Sequence, residues 1–93
     1  MAKVTDWARI FQVAGGRQLL MTKETDEDND PVIQMQMRIA STTVILPVVC
    51  QSESARDAQF PHIPQKVAED FAEHMIKTYE QQHGPIPEND YKQ

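Results

Sequence analysis

Cys50 is the single thiol of the chain, and His62, His74 and His83 are the imidazoles that could activate it. A thiolate nucleophile needs a base brought within hydrogen-bond reach by the fold. None of the three histidines lies in a local pattern that signals such a pairing. A lone Cys inside the apolar run Val44–Cys50 reads more simply as a small buried hydrophobe. Use of Cys50 by an enzyme or enzyme subunit is therefore the least supported of the functional readings, and the chain reads as a non-enzyme.

The carboxylates are the second place where chemistry could sit. Asp26, Asp28 and Asp30 have the 1, 3, 5 spacing of a calcium-binding loop. Such a loop needs Gly at its sixth position and a bidentate Glu at its twelfth. Those positions hold Pro31 and Met37, so the run reads as a solvated loop or an acidic contact surface. Asp70 and His74 stand four apart on a polar helical face and could share a proton, but surface pairs of this kind are mostly just solvated. His74 and His83 do not share a face closely enough for zinc, and no Cys joins them. No catalytic residue, metal site or cofactor is assigned.

Charge is distributed unevenly. The net charge is −5, and Glu24, Asp26, Glu27, Asp28 and Asp30 put five acids into seven residues with no base among them. This disfavours nucleic acid as a partner, since phosphate backbones are bound by clustered Lys and Arg. Arg9, Arg17, Lys23 and Arg38 all fall in the first half of the chain, which leaves a local basic face open there.

These residues need elements to hold them. Val67, Ala68, Phe71, Ala72, Met75, Ile76 and Tyr79 recur at the spacing of one helical face, with Glu69, Asp70, Glu73, His74 and Lys77 opposite. The pattern predicts a helix from about Pro64 to about His83, with Pro64 in its first turn and Gly84 ending it. Glu73 and Lys77 are spaced as an i, i+4 pair. Upstream the pattern predicts strands. Trp7–Val13 reads as a strand with Trp7, Phe11 and Val13 on one face and Arg9 intruding. The rival reading is a short helix capped by Thr5. Gly15-Gly16 suits a hairpin turn. Arg17–Thr25 follows, with Leu19 and Met21 opposite Leu20 and Thr22. Asp26–Pro31 is a polar loop, and Val32–Ala40 alternates strictly. Ser41-Thr42-Thr43 connects to Val44–Cys50.

That last strand is apolar on both faces, with Val44, Leu46, Val48 and Cys50 on one and Ile45 and Val49 on the other. Pro47 places it at a sheet edge or a bulge. Gln51–Ile63 reads as a polar loop anchored by Phe60. The four methionines Met21, Met35, Met37 and Met75 read as core filling, or else as an adaptable groove if the strand methionines are uncovered.

The fold expected is α+β, an antiparallel meander of three to four strands with one C-terminal amphipathic helix packed on one face. Residues 1–83 form a single small domain, and 84–93 form a disordered polar tail. One helix covers one face only. The strand carrying Ile45 and Val49 then needs a second cover, most simply another copy of the chain. The leading function is a small binding or regulatory protein that works through protein–protein contacts as a homodimer with Ile45 and Val49 in its interface. The alternative is an acidic inhibitor of the nucleic-acid-mimic type, presenting Glu24, Asp26, Glu27, Asp28 and Asp30 to a basic site. It is analogous to phage-encoded anti-host proteins, with which the chain shares no motif. No run is long enough to cross a membrane, and a single cysteine without an apolar leader fits a cytoplasmic location.

Overall fold

A computed structural model describes residues 7–86. Four strands run in chain order across one antiparallel sheet: β1 (Ala8–Val13), β2 (Arg17–Thr25), β3 (Pro31–Ile39) and β4 (Thr42–Val49). Two helices follow, α1 (Glu53–Gln59) and α2 (Gln65–His83), separated by a 3₁₀ turn at Phe60–His62. The fold is the α+β meander with a C-terminal helix that the periodicity predicts.

Strict period-2 pairing divides the sheet residues into two sets. Opposite Met21 lie Arg9 on β1 and Met35 on β3, and opposite Met35 lies Leu46 on β4. This row belongs to the covered face, with Phe11, Val13, Leu19, Ile33, Met37 and Ile39. Phe60 and the α2 residues Ala68, Ala72 and Met75 complete the core. All four methionines in question are buried there, so the strand methionines line no open groove.

α2 meets the sheet through small residues. Ala68 and Ala72 are fully buried, whereas Val67, Phe71, Ile76 and Tyr79 are half-buried flanks. The buried stripe is thus narrower than the apolar pattern suggests, because alanines let the helix backbone approach the sheet while larger neighbours overhang its sides. Pro64 caps α2 rather than entering it, and Gly84 closes it at φ 85°. Lys77–Glu73 pairs at 3.4 Å, as the spacing predicts.

The segment expected to be a polar loop is partly helical. Ser52 caps α1, its hydroxyl accepting the Ala55 N–H at 3.0 Å. No α1 residue is fully buried, so the helix carries too little apolar periodicity to register in the sequence. Polar contacts tie it down instead. Arg56 donates to the Glu24 carbonyl at 2.7 Å, and Lys23 meets Asp57 at 3.4 Å. The hydrogen bond from Arg56, with Lys23 adding, holds the Asp57 carboxyl below its ordinary range. Arg9 explains its intrusion on the covered face: it donates to the Phe60 carbonyl at 2.7 Å and lies 4.6 Å over the Phe11 ring.

Two turns differ from expectation. β1 and β2 are joined by Ala14–Gly16, with Gly15 and Gly16 at φ 76° and 72°. β3 and β4 are joined by Ala40-Ser41, and the strand begins at Thr42 rather than Val44. Both residues have positive φ, 52° and 69°, which a mirror-image tight turn demands and which neither side chain favours. The pairing of Ile39 with Thr42 continues the ladder to the turn and imposes that conformation. Of the expected tail, 87–93 lie outside the described residues, and Ile86 packs partly buried against the core. Among the described residues no helix is long and apolar enough to cross a membrane.

Candidate functional site: the open face of the sheet

The second face of the sheet receives neither helix stripe. Its residues follow from the register: Ile10, Leu20, Gln36 and Ile45 form one cross-strand row, and Ala8, Thr22, Gln34 and Pro47 the next. Glu24, Val32 and Val49 form a third. Arg38 and Thr43 lie paired at the other end. Ile10 is 62% exposed, Ile45 53% and Val49 61%. Thr22 and Val32, on the same face, are only 4% and 2% exposed, so the face is open at its edges and its Arg38 end and already covered around these two residues. The three share one face, Ile45 and Val49 on β4 and Ile10 on the opposite edge strand, with Leu20 and Gln36 between Ile10 and Ile45.

The expected interface residues Ile45 and Val49 therefore sit together on the exposed side of β4, while Val44, Leu46 and Val48 are half-buried against the core. Ile10 is exposed on the same face of the opposite edge strand. It was missed because the fully exposed partner of a two-sided strand is visible only once register is known. The signal available was parity: on β1, Ile10 alternates with Phe11.

A proline interrupts one free edge of the sheet, and one carbonyl of the other is taken from within the chain. The Cys50 backbone N–H donates to the Pro31 carbonyl at 2.8 Å, which sets the phase of the β3–β4 ladder. By alternation, Thr43, Ile45, Pro47 and Val49 turn their backbone groups outward. Pro47 thus removes a donor from the middle of the free edge, as an edge proline should. On β1, the Lys23 N–H to Trp7 carbonyl bond of 2.9 Å sets the phase, so Gln12 turns outward. Its carbonyl is taken by Gln65 Nε2 from the start of α2 at 2.6 Å.

The acidic loop is ordered by its own first aspartate. Asp26 Oδ1 accepts the N–H of Asp28 at 3.0 Å and of Asp30 at 2.8 Å. Asp26 and Asp30 also share a backbone bond of 3.0 Å, and Asn29 adopts φ 66°. The carboxylates of Asp26, Asp28 and Asp30 gather with one oxygen each within 4.8 Å of the others. β3 starts at Pro31, so what would be the second half of a calcium loop is strand. Asp26 serves the turn, and Glu27, Asp28 and Asp30 are exposed to solvent.

The remaining candidates separate. Cys50 is half-buried at the end of β4, its Sγ 3.9 Å from the Val48 carbonyl, while His62, His74 and His83 are exposed. Asp70 holds Lys66 at 2.9 Å, and that carboxylate pushes the Lys66 ammonium up. His83 lies against the Tyr79 ring, centroids 4.4 Å apart. The bases expected to allow a basic face are dispersed: Arg9 and Lys23 lie on the covered side, Arg17 is buried, and Arg38 alone is exposed on the open face. An open depression beside α2, lined by Ala14, Lys66, Asp70, Glu73, Ile76 and Lys77, is flanked by mutually paired charges. No family model, curated protein or solved structure matches this chain significantly.

Proposed function

We propose that this protein works by protein–protein contact rather than by catalysis, and that it acts as a homodimer built on the open sheet face. The observation that carries the reading is the joint exposure of Ile10, Ile45 and Val49 on one side of the sheet. Covering a side chain of this type contributes about 1.5–3 kcal/mol. A twofold contact covers each of them twice. Sedimentation of the full chain up to about 100 μM tests it: a dimer is expected, and a clean 10.6 kDa species throughout overturns the reading. Val49→Asp should convert the dimer to monomer. Because Val49 is exposed, the variant monomer should keep its fold.

A second reading is favoured by the acidic loop. The Asp26 turn fixes Glu27, Asp28 and Asp30 in an ordered, solvent-facing array beside Glu24, suited to a basic site on another protein. Changing Asp26, Glu27 and Asp28 to Asn, Gln and Asn keeps the turn acceptor and removes the charge. The melt should stay nearly unchanged, since exposed charges contribute little to folding. Association with a basic partner should slow, and that loss should shrink at 1 M salt, where the Debye length is about 3 Å. Capture indifferent to both changes removes the loop from the contact. The reading that uses Cys50 rests on no contact with a histidine among the described residues.

A further inference from the structure

The open face carries two charges among its strand residues, and they have opposite sign and lie at opposite ends. Glu24 stands on β2 beside Val32, and Arg38 stands on β3 six residues from Val32. At about 3.4 Å per residue and about 4.8 Å between strands, they are roughly 20 Å apart along the sheet and one strand apart across it. Between them lie Leu20, Thr22, Gln34 and Gln36, flanked by Ile10 and Ile45. The acidic loop adjoins the Glu24 end.

Such a surface is complementary to itself under one operation. A twofold axis lying in the interface, perpendicular to the line from Glu24 to Arg38, exchanges the two ends. Building on the homodimer reading, we infer that two copies pack open face to open face about this axis, with Glu24 against the partner's Arg38 and Arg38 against the partner's Glu24. The line joining the two residues is inclined about 13° to the strands, by their separations along and across the sheet. The operation therefore crosses the two sets of strands at about 25–30° from antiparallel, inside the range of aligned sheet packing. Four strands of about eight residues span about 19 Å by 27 Å, and because Thr22 and Val32 are already buried the contact covers less than about 1,000 Å² counted on both copies. This is at or below the lower limit for a specific interface, so a weak dimer is expected. Pairing through the β4 edge is interrupted by Pro47, and on the β1 edge Gln65 takes the Gln12 carbonyl. Each charge pair occurs twice, so one substitution is felt at two places.

Charge reversal tests the arrangement. Glu24→Arg alone and Arg38→Glu alone should each raise the dimer dissociation constant roughly tenfold, since both symmetric pairs become repulsive. Mixing the two variants should restore dimers to within about threefold of the natural chain, because each mixed pair is attractive at both contacts. The double variant Glu24→Arg, Arg38→Glu should do the same within one chain, which covers the case of a single variant that fails to fold. Analytical ultracentrifugation with thermal melts reads all of these. If the natural chain dimerises and Val49→Asp breaks it, yet charge reversal has no effect or mixing restores nothing, the axis is wrong and the homodimer reading stands. A natural chain that stays monomeric at about 100 μM, where a weak specific dimer should form, overturns both.

Discussion

The two faces of the sheet are built from the same four strands and treat their side chains in opposite ways. The covered face is continuous: Phe11, Leu19, Met21, Ile33, Met35, Met37 and Ile39 touch one another and the small-residue stripe of α2. The open face alternates apolar side chains with Gln12, Gln18, Gln34 and Gln36, and leaves Ile10, Ile45 and Val49 in water. Amides can lie against solvent or against a second protein surface at little cost, because they find hydrogen-bond partners in either setting. The covered face is therefore committed to folding, and the other keeps Ile10, Ile45 and Val49 exposed around the buried Thr22 and Val32. An antiparallel sheet permits this division, since helices are required on one side only.

Truncation should show the contrast most strongly. Phe60 is 2% exposed and sits where the 3₁₀ turn meets the sheet. Phe60→Ala should cost about 3–5 kcal/mol in a denaturant melt. Ile45→Ala should cost the monomer no more than about 0.5 kcal/mol. Equal effects would show that the open face also contributes to the fold of one chain.

Close approach of α2 gives a smaller effect of the opposite kind. Ala68 is fully buried between helix and sheet, so Ala68→Leu should destabilise by about 1–3 kcal/mol through overpacking. Phe71→Ala, on the half-buried flank, should cost less than Phe60→Ala. A neutral Ala68→Leu would mean that the helix stands off the sheet.

The smallest effects lie in the acidic loop. Asp26→Ala removes an acceptor shared by two backbone N–H groups and should cost about 1 kcal/mol. Asp28→Ala should stay within about 0.5 kcal/mol. If both prove neutral, the turn is held by the backbone bonds of Asp26 with Asn29 and Asp30 alone.

Ile45 and Val49 were legible as a problem in the sequence, because a strand apolar on both faces cannot satisfy both with one helix. Their neighbour Ile10 was not, since β1 on its own does not reveal which of its faces a later helix will cover. α1 was also hidden. Its residues are fair helix formers, but its anchors, Arg56 to the Glu24 carbonyl and Lys23 to Asp57, come from remote sequence. The pairing of Glu24 and Arg38 as the two charges of one face likewise appears only when β2 and β3 are in register.

The sequence by itself determined the strand alternation, the long amphipathic helix, the edge position of the Pro47 strand and the acidic loop. These depend on local spacing, on a proline that cannot donate and on carboxylates that stay in water. Tertiary structure alone decided how narrow the buried stripe of α2 is, that Ala40 and Ser41 must take left-handed conformations, and which apolar residues stay exposed. Those outcomes depend on register and on the distance between layers, which are set by pairing many residues at once across the sheet.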